Sequence, residues 1–138
     1  FQETSNKTFI FNSDKDSNSK KITKSIEIIY SLRNFIGNAN KFANNKIFIN
    51  LKSDNEISEI NIEDDGEGYS NDILSKIGEP YLKSFNKIDK TKTGLGLGIF
   101  IGKTLLEKNF ASVYCRNSKT RSGAEVIIRW NNEDLFKI

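Results

Sequence analysis

Histidine is absent from this 138-residue chain, which removes the commonest general base, the commonest metal ligand and every Ser-His-Asp or Cys-His nucleophile at once. Triad hydrolases and zinc enzymes of the usual kind are thereby excluded. Cysteine occurs once, so no internal disulfide can form. No apolar run approaches the roughly 20 residues that span a bilayer. Methionine is also missing and the chain opens on Phe1, so we expect a piece of a longer protein, with no signal peptide visible. An excess of one charge is lacking too. The 21 basic and 18 acidic residues leave a net charge of +3, too small and too interspersed to form a nucleic-acid stripe. With 36% hydrophobic residues, a chain of this length buries roughly two-thirds of its unfolded surface. Residues 1–138 are therefore expected to form one domain.

Hydrophobic periodicity supplies the elements. A β-like run from Thr8 to Phe11 is followed by polar residues through Lys20 that lack any period, a strand and an exposed loop. From Ile22 to Ala43 apolar residues recur at helical spacing, which predicts the longest helix. Ile47, Ile49 and Leu51 then alternate with Lys46, Phe48 and Asn50, and Ile60 and Ile62 alternate with Glu59, Asn61 and Glu63, as in strands with one dry and one wet face. A short helix is expected near Asp72 to Ile77, a mobile polar stretch from Gly78 to Thr93, and a second long helix from Gly98 to about Lys108. Ala111, Val113 and Cys115, then Ala124, Val126, Ile128 and Trp130, alternate on either side of a turn at Ser118 to Gly123, which reads as a hairpin. The expected architecture is α+β: a two-layer sandwich with helices on one face of the sheet.

Three features carry chemistry. Asp64 continues the alternation of Ile60 and Ile62 and so points into the apolar layer, where a carboxylate requires donors. Gly66 and Gly68 let the chain turn tightly beside it. The arrangement suits a buried acceptor facing a ligand, and equally a solvated acidic turn or a weak cation site formed with Glu63 and Asp65. Gly94, Gly96 and Gly98 precede a helix, whose exposed N–H groups and dipole favour phosphate; a flexible hinge is the alternative. Neither a P-loop nor a dinucleotide fingerprint fits this run, because Leu97 and Ile99 occupy required glycine positions. Asn34, Asn38 and Lys41 fall on one helical stripe, able to ligate a hard cation and neutralise phosphate, or simply to face solvent. Cys115 sits on the apolar alternation of its strand, which suits a small core residue better than a redox switch.

Together these segments resemble the catalytic ATP-binding domain of bacterial sensor histidine kinases, in the Bergerat-fold (GHKL) group shared with type II topoisomerases, mismatch-repair ATPases and a chaperone family. Leu32 to Ala43 resembles the N-box, Asp64-Asp65-Gly66-Glu67-Gly68 the first glycine box, Gly94 to Gly98 the second, and Ser122-Gly123-Ala124 the approach to the final strand. Gly78, Glu79, Pro80, Tyr81, Lys83 and Ser84 are similar to the start of the ATP lid in kinases of the RegB type. The resemblance implies a mixed, mostly antiparallel sheet of about five strands under about three helices. It also implies that Asp64 accepts from the adenine amino group, that Asn38 holds Mg²⁺ with Asn34 assisting, and that Lys41 meets a phosphate. Phe42, Gly66, Gly68, Lys83, Thr93, Gly94, Leu95, Gly96, Leu97 and Gly98 complete the implied nucleotide contacts, with ATP and Mg²⁺ as cofactors. Phe42 stands where Tyr is commoner, and Tyr69 where an aliphatic residue is.

In hydrolytic members of the group a Glu four residues before the Mg-binding Asn activates water. Here that position is Asn34, whose amide cannot take a proton, so the resemblance implies γ-phosphate transfer to an outside nucleophile. The implied activity is that of a protein-histidine kinase acting in two-component signal transduction. Its acceptor histidine would lie on a dimerisation and phosphoacceptor domain of the same protein, with a response regulator downstream. No nucleic-acid or membrane contact is expected of this piece, a cytoplasmic domain of a parent expected to be an inner-membrane sensor kinase. An ATP-gated non-catalytic interaction module, or a serine kinase of anti-sigma-factor type, is the alternative.

Overall fold

The computed structural model describes residues 6–13, 25–77 and 95–138. Along the chain run β1 (Thr8–Ser13), α1 (Ile26–Phe42), β2 (Lys46–Ser53), β3 (Ile57–Asp64), α2 (Asn71–Ile77), α3 (Leu95–Lys108), β4 (Ala111–Asn117), β5 (Ala124–Asn131) and a 3-10 turn (Asn132–Lys137). The strands form one sheet in the order β1-β2-β3-β5-β4. β1 pairs parallel with β2, and the other three pairings are antiparallel. This is the expected mixed α+β architecture.

Two helix starts differ from the pattern of apolar residues. α1 begins at Ile26 and not at Ile22, because Ser25 has extended backbone dihedrals (φ −126°, ψ 134°) and its hydroxyl accepts from the Ile28 N–H. An N-cap of this kind satisfies one of the helix's orphan donors and ends the helical path there. Residues 14–24, which include Ile22 and most of the polar stretch expected to end at Lys20, lie outside the described residues. α3 begins at Leu95, three residues before the expected Gly98. Its buried Ile99, Phe100 and Leu106 pack into the core, and such packing outweighs the roughly 1 kcal/mol by which each glycine disfavours helix.

Where α1 and α3 cross, the glycines of α3 set the separation. A Cβ at Gly102 would lie 3.1 Å from the Phe35 ring, and one at Gly98 would lie 3.1 Å from Asn34 Oδ1. Both glycines therefore face α1, one turn apart. Beneath the helices Ile47, Ile49, Ile62, Val113, Val126 and Ile128 form the inner face of the sheet. Trp130 closes one end of this layer at 1% exposure, its indole N–H donating to the Asn109 carbonyl at 3.0 Å. Leu51 shares the inward parity yet is half-exposed.

The outer face is less wet than alternation suggests. Phe48, which shares the parity of Lys46 and Asn50, is buried because the Arg121 guanidinium stacks 3.6 Å above its ring. In the same cross-strand row Glu63 and Glu125 lie directly opposite one another, a like-charge pairing that costs stability unless compensated. Arg116 bonds Glu125, the Asn61 amide donates to it at 2.7 Å, and the Ser118 hydroxyl donates to Glu63 at 2.8 Å.

Trp130→Ala should lower stability by about 3–5 kcal/mol. Urea denaturation followed by circular dichroism should show a fall in midpoint large against the total stability of such a domain; an unchanged midpoint would contradict the packing described.

Candidate functional site

Asp64 is the last residue of β3, and strand parity carries its side chain inward to 3% exposure. Its Oδ1 accepts from the Gly66 N–H at 2.9 Å and the Ala124 N–H at 3.3 Å. Among the described residues Oδ2 accepts no hydrogen bond. Two hydrogen bonds to a charged acceptor are worth about 1.5–3 kcal/mol each, against several kcal/mol for desolvating a carboxylate. Burial wins: it pushes the Asp64 carboxyl above its ordinary value despite the two backbone donors, and the neighbouring Asp65 charge adds to the effect.

The approach to this carboxylate depends on two missing side chains. A Cβ at Gly123 would fall 2.2 Å from Asp64 Oδ1, and one at Gly66 would fall 2.2 Å from the Phe42 carbonyl. Any side chain at either position would displace the carboxylate or the end of α1.

Asp65 does a different job. Its Oδ1 accepts from the Asn44 and Asn45 N–H groups at 2.9 and 3.0 Å, and its carbonyl accepts from the Asn44 amide. Partial burial raises its pKa, but the backbone donors of the turn outweigh that and hold it below the ordinary value. Asp65 thus ties the α1–β2 turn, and Asp64 faces the cavity. Lys7 supports the same corner, donating to the Asn40 and Ala43 carbonyls at the C-terminus of α1.

The cavity has a volume of about 480 Å³, within the usual range for small-molecule sites. Phe35, Ala39, Ile62, Ile73, Ala124 and Val126 supply apolar wall, with Asp64 set into it. Asn38, Lys41 and Phe42 from α1 and Gly68 also line it. The Asn38 side-chain Nδ2 is buried and has no hydrogen-bond partner among the described residues. Because an amide's two ends exchange by a half-turn, this position can equally present Oδ1, a hard oxygen of the type Mg²⁺ takes together with phosphate oxygens. The residues present therefore fit a nucleotide-bound Mg²⁺.

Some sequence candidates lie apart from this cavity. Asn34 does not line it: its amide N–H donates to the Tyr30 carbonyl of its own helix at 3.2 Å, and its Oδ1 sits against Gly98 at the α1–α3 crossing. Gly66 lies behind Asp64, bonding its carboxylate. Leu95, Gly96, Leu97 and Gly98 form the first turn of α3, where backbone N–H groups lack intrahelical partners. Lys83, Thr93 and Gly94 lie outside the described residues, as does the stretch from 78 to 93.

The structure adds two residues to which the sequence assigns no role. Gly123 is visible as part of a turn, but nothing local says that it abuts a carboxylate 59 positions earlier. Asn117, at the end of β4, bonds the backbone of Tyr69 through both ends of its amide. No pattern marks it in a chain rich in asparagine. Cys115 packs against the core, and burial pushes its thiol up to about 12, so it stays protonated and unreactive.

The two aspartates should separate in a pH series of urea denaturations. Folding with Asp64 ionised is penalised as pH rises from about 4, the unfolded value, through its raised folded value, so Asp64→Asn should be at least as stable as the parent at pH 7. Asp65 contributes stability above about pH 4 that disappears as pH falls through its lowered folded value. Asp65→Asn should accordingly be less stable at pH 7, with the difference closing toward pH 2. Equal losses in both variants at pH 7 would contradict these roles.

Residues 23–134 match the family described as histidine kinase-, DNA gyrase B-, and HSP90-like ATPases. The chain is 35% identical over 128 residues to the sensor histidine kinase RegB of Cereibacter sphaeroides, covering 81% of this chain and 28% of that protein. It is 36% identical over 89 residues to the sensor histidine kinase CssS of Bacillus subtilis, covering 64% of this chain and 18% of that protein. The chain thus spans less than a third of these curated relatives. Among solved structures, a nucleotide-free catalytic domain of histidine kinase ThkA superimposes with a TM-score of 0.71 at 18% identity, covering 96% of this chain and 84% of that one. Full-length ShkA in complex with AMPPNP gives 0.65 at 21% identity, over 89% of this chain and 25% of that one. With fold and sequence in agreement, the chain belongs to the histidine kinase-, DNA gyrase B- and HSP90-like ATPases.

Proposed function

We propose that this chain binds Mg-ATP in the cavity between α1 and the β3–β5 end of the sheet and presents the γ-phosphate to a histidine on another domain of its parent protein. The observation that carries the reading is the Asp64 carboxylate, buried in apolar wall with Oδ2 free of donors among the described residues. A buried acceptor left unpaired calls for a ligand that donates. The exocyclic amino group of adenine does so, whereas the carbonyl at the same position of guanine would set two acceptors against each other.

The apolar residues flanking Asp64 suit the faces of a purine. Asn38 and Lys41 lie on the α1 side of the cavity and are assigned to the metal and a phosphate. Bound Mg²⁺ would neutralise charge on the phosphates, with Asn38 as the protein ligand. Gly96 and Gly98, in the first turn of α3, offer backbone N–H groups of the kind that bind phosphate at helix N-termini. Lys83, Thr93, Gly94, Leu95 and Leu97 are assigned to the nucleotide on the resemblance.

Transfer is favoured over hydrolysis by Asn34. Its amide has no basic lone pair for a water proton, and its N–H already bonds its own helix. Since the chain contains no histidine, the phosphoacceptor belongs to a separate domain. A response regulator would then take the phosphoryl group, and the parent would be a sensor kinase of the inner membrane with this domain on its cytoplasmic side.

The test is calorimetric titration of a non-hydrolysable ATP analogue, with and without Mg²⁺. Asp64→Asn should weaken binding by about 10- to 100-fold, the loss of a charged hydrogen bond, while Asn38→Ala should bind with an affinity no longer dependent on Mg²⁺. Phosphorylation of a supplied acceptor-histidine domain by the parent chain follows as the second assay. Absence of binding at millimolar analogue by the folded chain would overturn the nucleotide reading, and binding without transfer would favour the ATP-gated interaction module.

A further inference from the structure

Part of the cavity wall is made by consecutive residues, Glu67, Gly68, Tyr69 and Ser70, that belong to neither helix nor strand. A segment of this kind near a buried site must find partners for its backbone elsewhere. The Gly66 N–H donates to Asp64, and the Gly66 carbonyl accepts from the Ser122 hydroxyl at 3.4 Å. Both backbone groups of Tyr69 go to one side chain. Asn117 Oδ1 accepts from the Tyr69 N–H at 2.7 Å, and Asn117 Nδ2 donates to the Tyr69 carbonyl at 3.0 Å. The amide thereby imitates the residue of a neighbouring strand.

Access for this amide depends on Gly68. Gly68 has φ +81°, and a Cβ there would lie 2.6 Å from Asn117 Oδ1. A side chain would therefore be strained by the backbone and would push Asn117 away. The Tyr69 ring itself is buried in the core that β4 helps to form. β4 thus grips the buried Tyr69 by its backbone.

Asn117 and Gly123 bracket the β4–β5 turn, and the Ser118 N–H bonds the Gly123 carbonyl at 2.8 Å across it. One hairpin end therefore holds both the Asp64 carboxylate and the 67–70 part of the wall. We infer that Asn117 is a positioning residue for ligand binding: its amide clamps Tyr69 so that the 67–70 wall is already in place when the ligand enters. The inference rests on the nucleotide reading of this cavity. Its physical basis is pre-organisation, since a wall left mobile must be ordered during binding at the expense of affinity.

The experiment compares the chain with its Asn117→Ala variant, using a non-hydrolysable ATP analogue in calorimetry, amide hydrogen exchange and urea denaturation. Asn117→Ala should weaken the analogue by a factor of about 5–30, the usual worth of one or two hydrogen bonds. Stoichiometry should stay at one, with faster exchange confined to the Tyr69 segment. A structural role alone would lower the urea midpoint and leave the Kd of the folded molecules unchanged, which would overturn the inference. Asn117→Asp keeps the acceptor for the Tyr69 N–H and loses the donor, so it should fall between the two. It carries the test should Asn117→Ala not fold, and parental affinity in Asn117→Asp would then be the overturning result. Failure of the parent chain itself to bind would overturn the nucleotide reading and this inference with it. Binding by the parent with an unchanged Kd in the variants overturns this inference alone.

Discussion

The carboxylate of Asp64 is held in apolar surroundings by two backbone N–H groups, and most of the site can be understood as what that arrangement requires. A buried charge with incomplete hydrogen bonding is costly. To meet even part of the cost, β3 must end where the chain can turn at once and bring the Gly66 N–H back to the carboxylate. β5 must start close enough for the Ala124 N–H to reach it as well. Gly66 and Gly123 make both approaches sterically possible, one beneath the Phe42 carbonyl and the other against Asp64 itself. The remaining deficit appears in the raised Asp64 pKa, and it is the part of the energetics that a donor-bearing ligand would relieve.

A second constraint is the close crossing of α1 and α3. Gly98 and Gly102 remove the side chains that would separate the helices, so Phe35 and Asn34 pack directly against α3. Phe35 also lines the cavity, and Asn38 and Lys41 lie farther along α1. The stripe that a helical wheel draws as one surface is consequently divided: its N-terminal member, Asn34, enters a helix seam, while the other two reach the cavity. Hairpin, crossing and acidic turn therefore act on one volume from three sides.

Much of this was legible beforehand. Period-two alternation located four of the strands and the inward parity of Asp64, and period-3.6 spacing located α1. Expectations failed where an interaction distant in sequence decided the outcome. Phe48 is buried on the outer face because Arg121, 73 residues later, stacks on it. α3 extends to Leu95 because packing overrides the poor helix propensity of glycine. The start of α1 was a different kind of miss, since Ser25 is a local signal and a capping residue was there to be read.

The order of apolar and polar residues, the glycine placements and the absence of histidine determined the class of fold, the acceptor carboxylate and the exclusion of self-contained histidine chemistry, because each is a property of local spacing or of composition. Tertiary structure decided which backbone donors meet Asp64, that Asp65 ties a turn, where Asn34 goes, and that Asn117 holds Tyr69. Those outcomes depend on distances between residues tens of positions apart, and the pairing of strands and the crossing of helices create such distances. Spacing along the chain does not contain them.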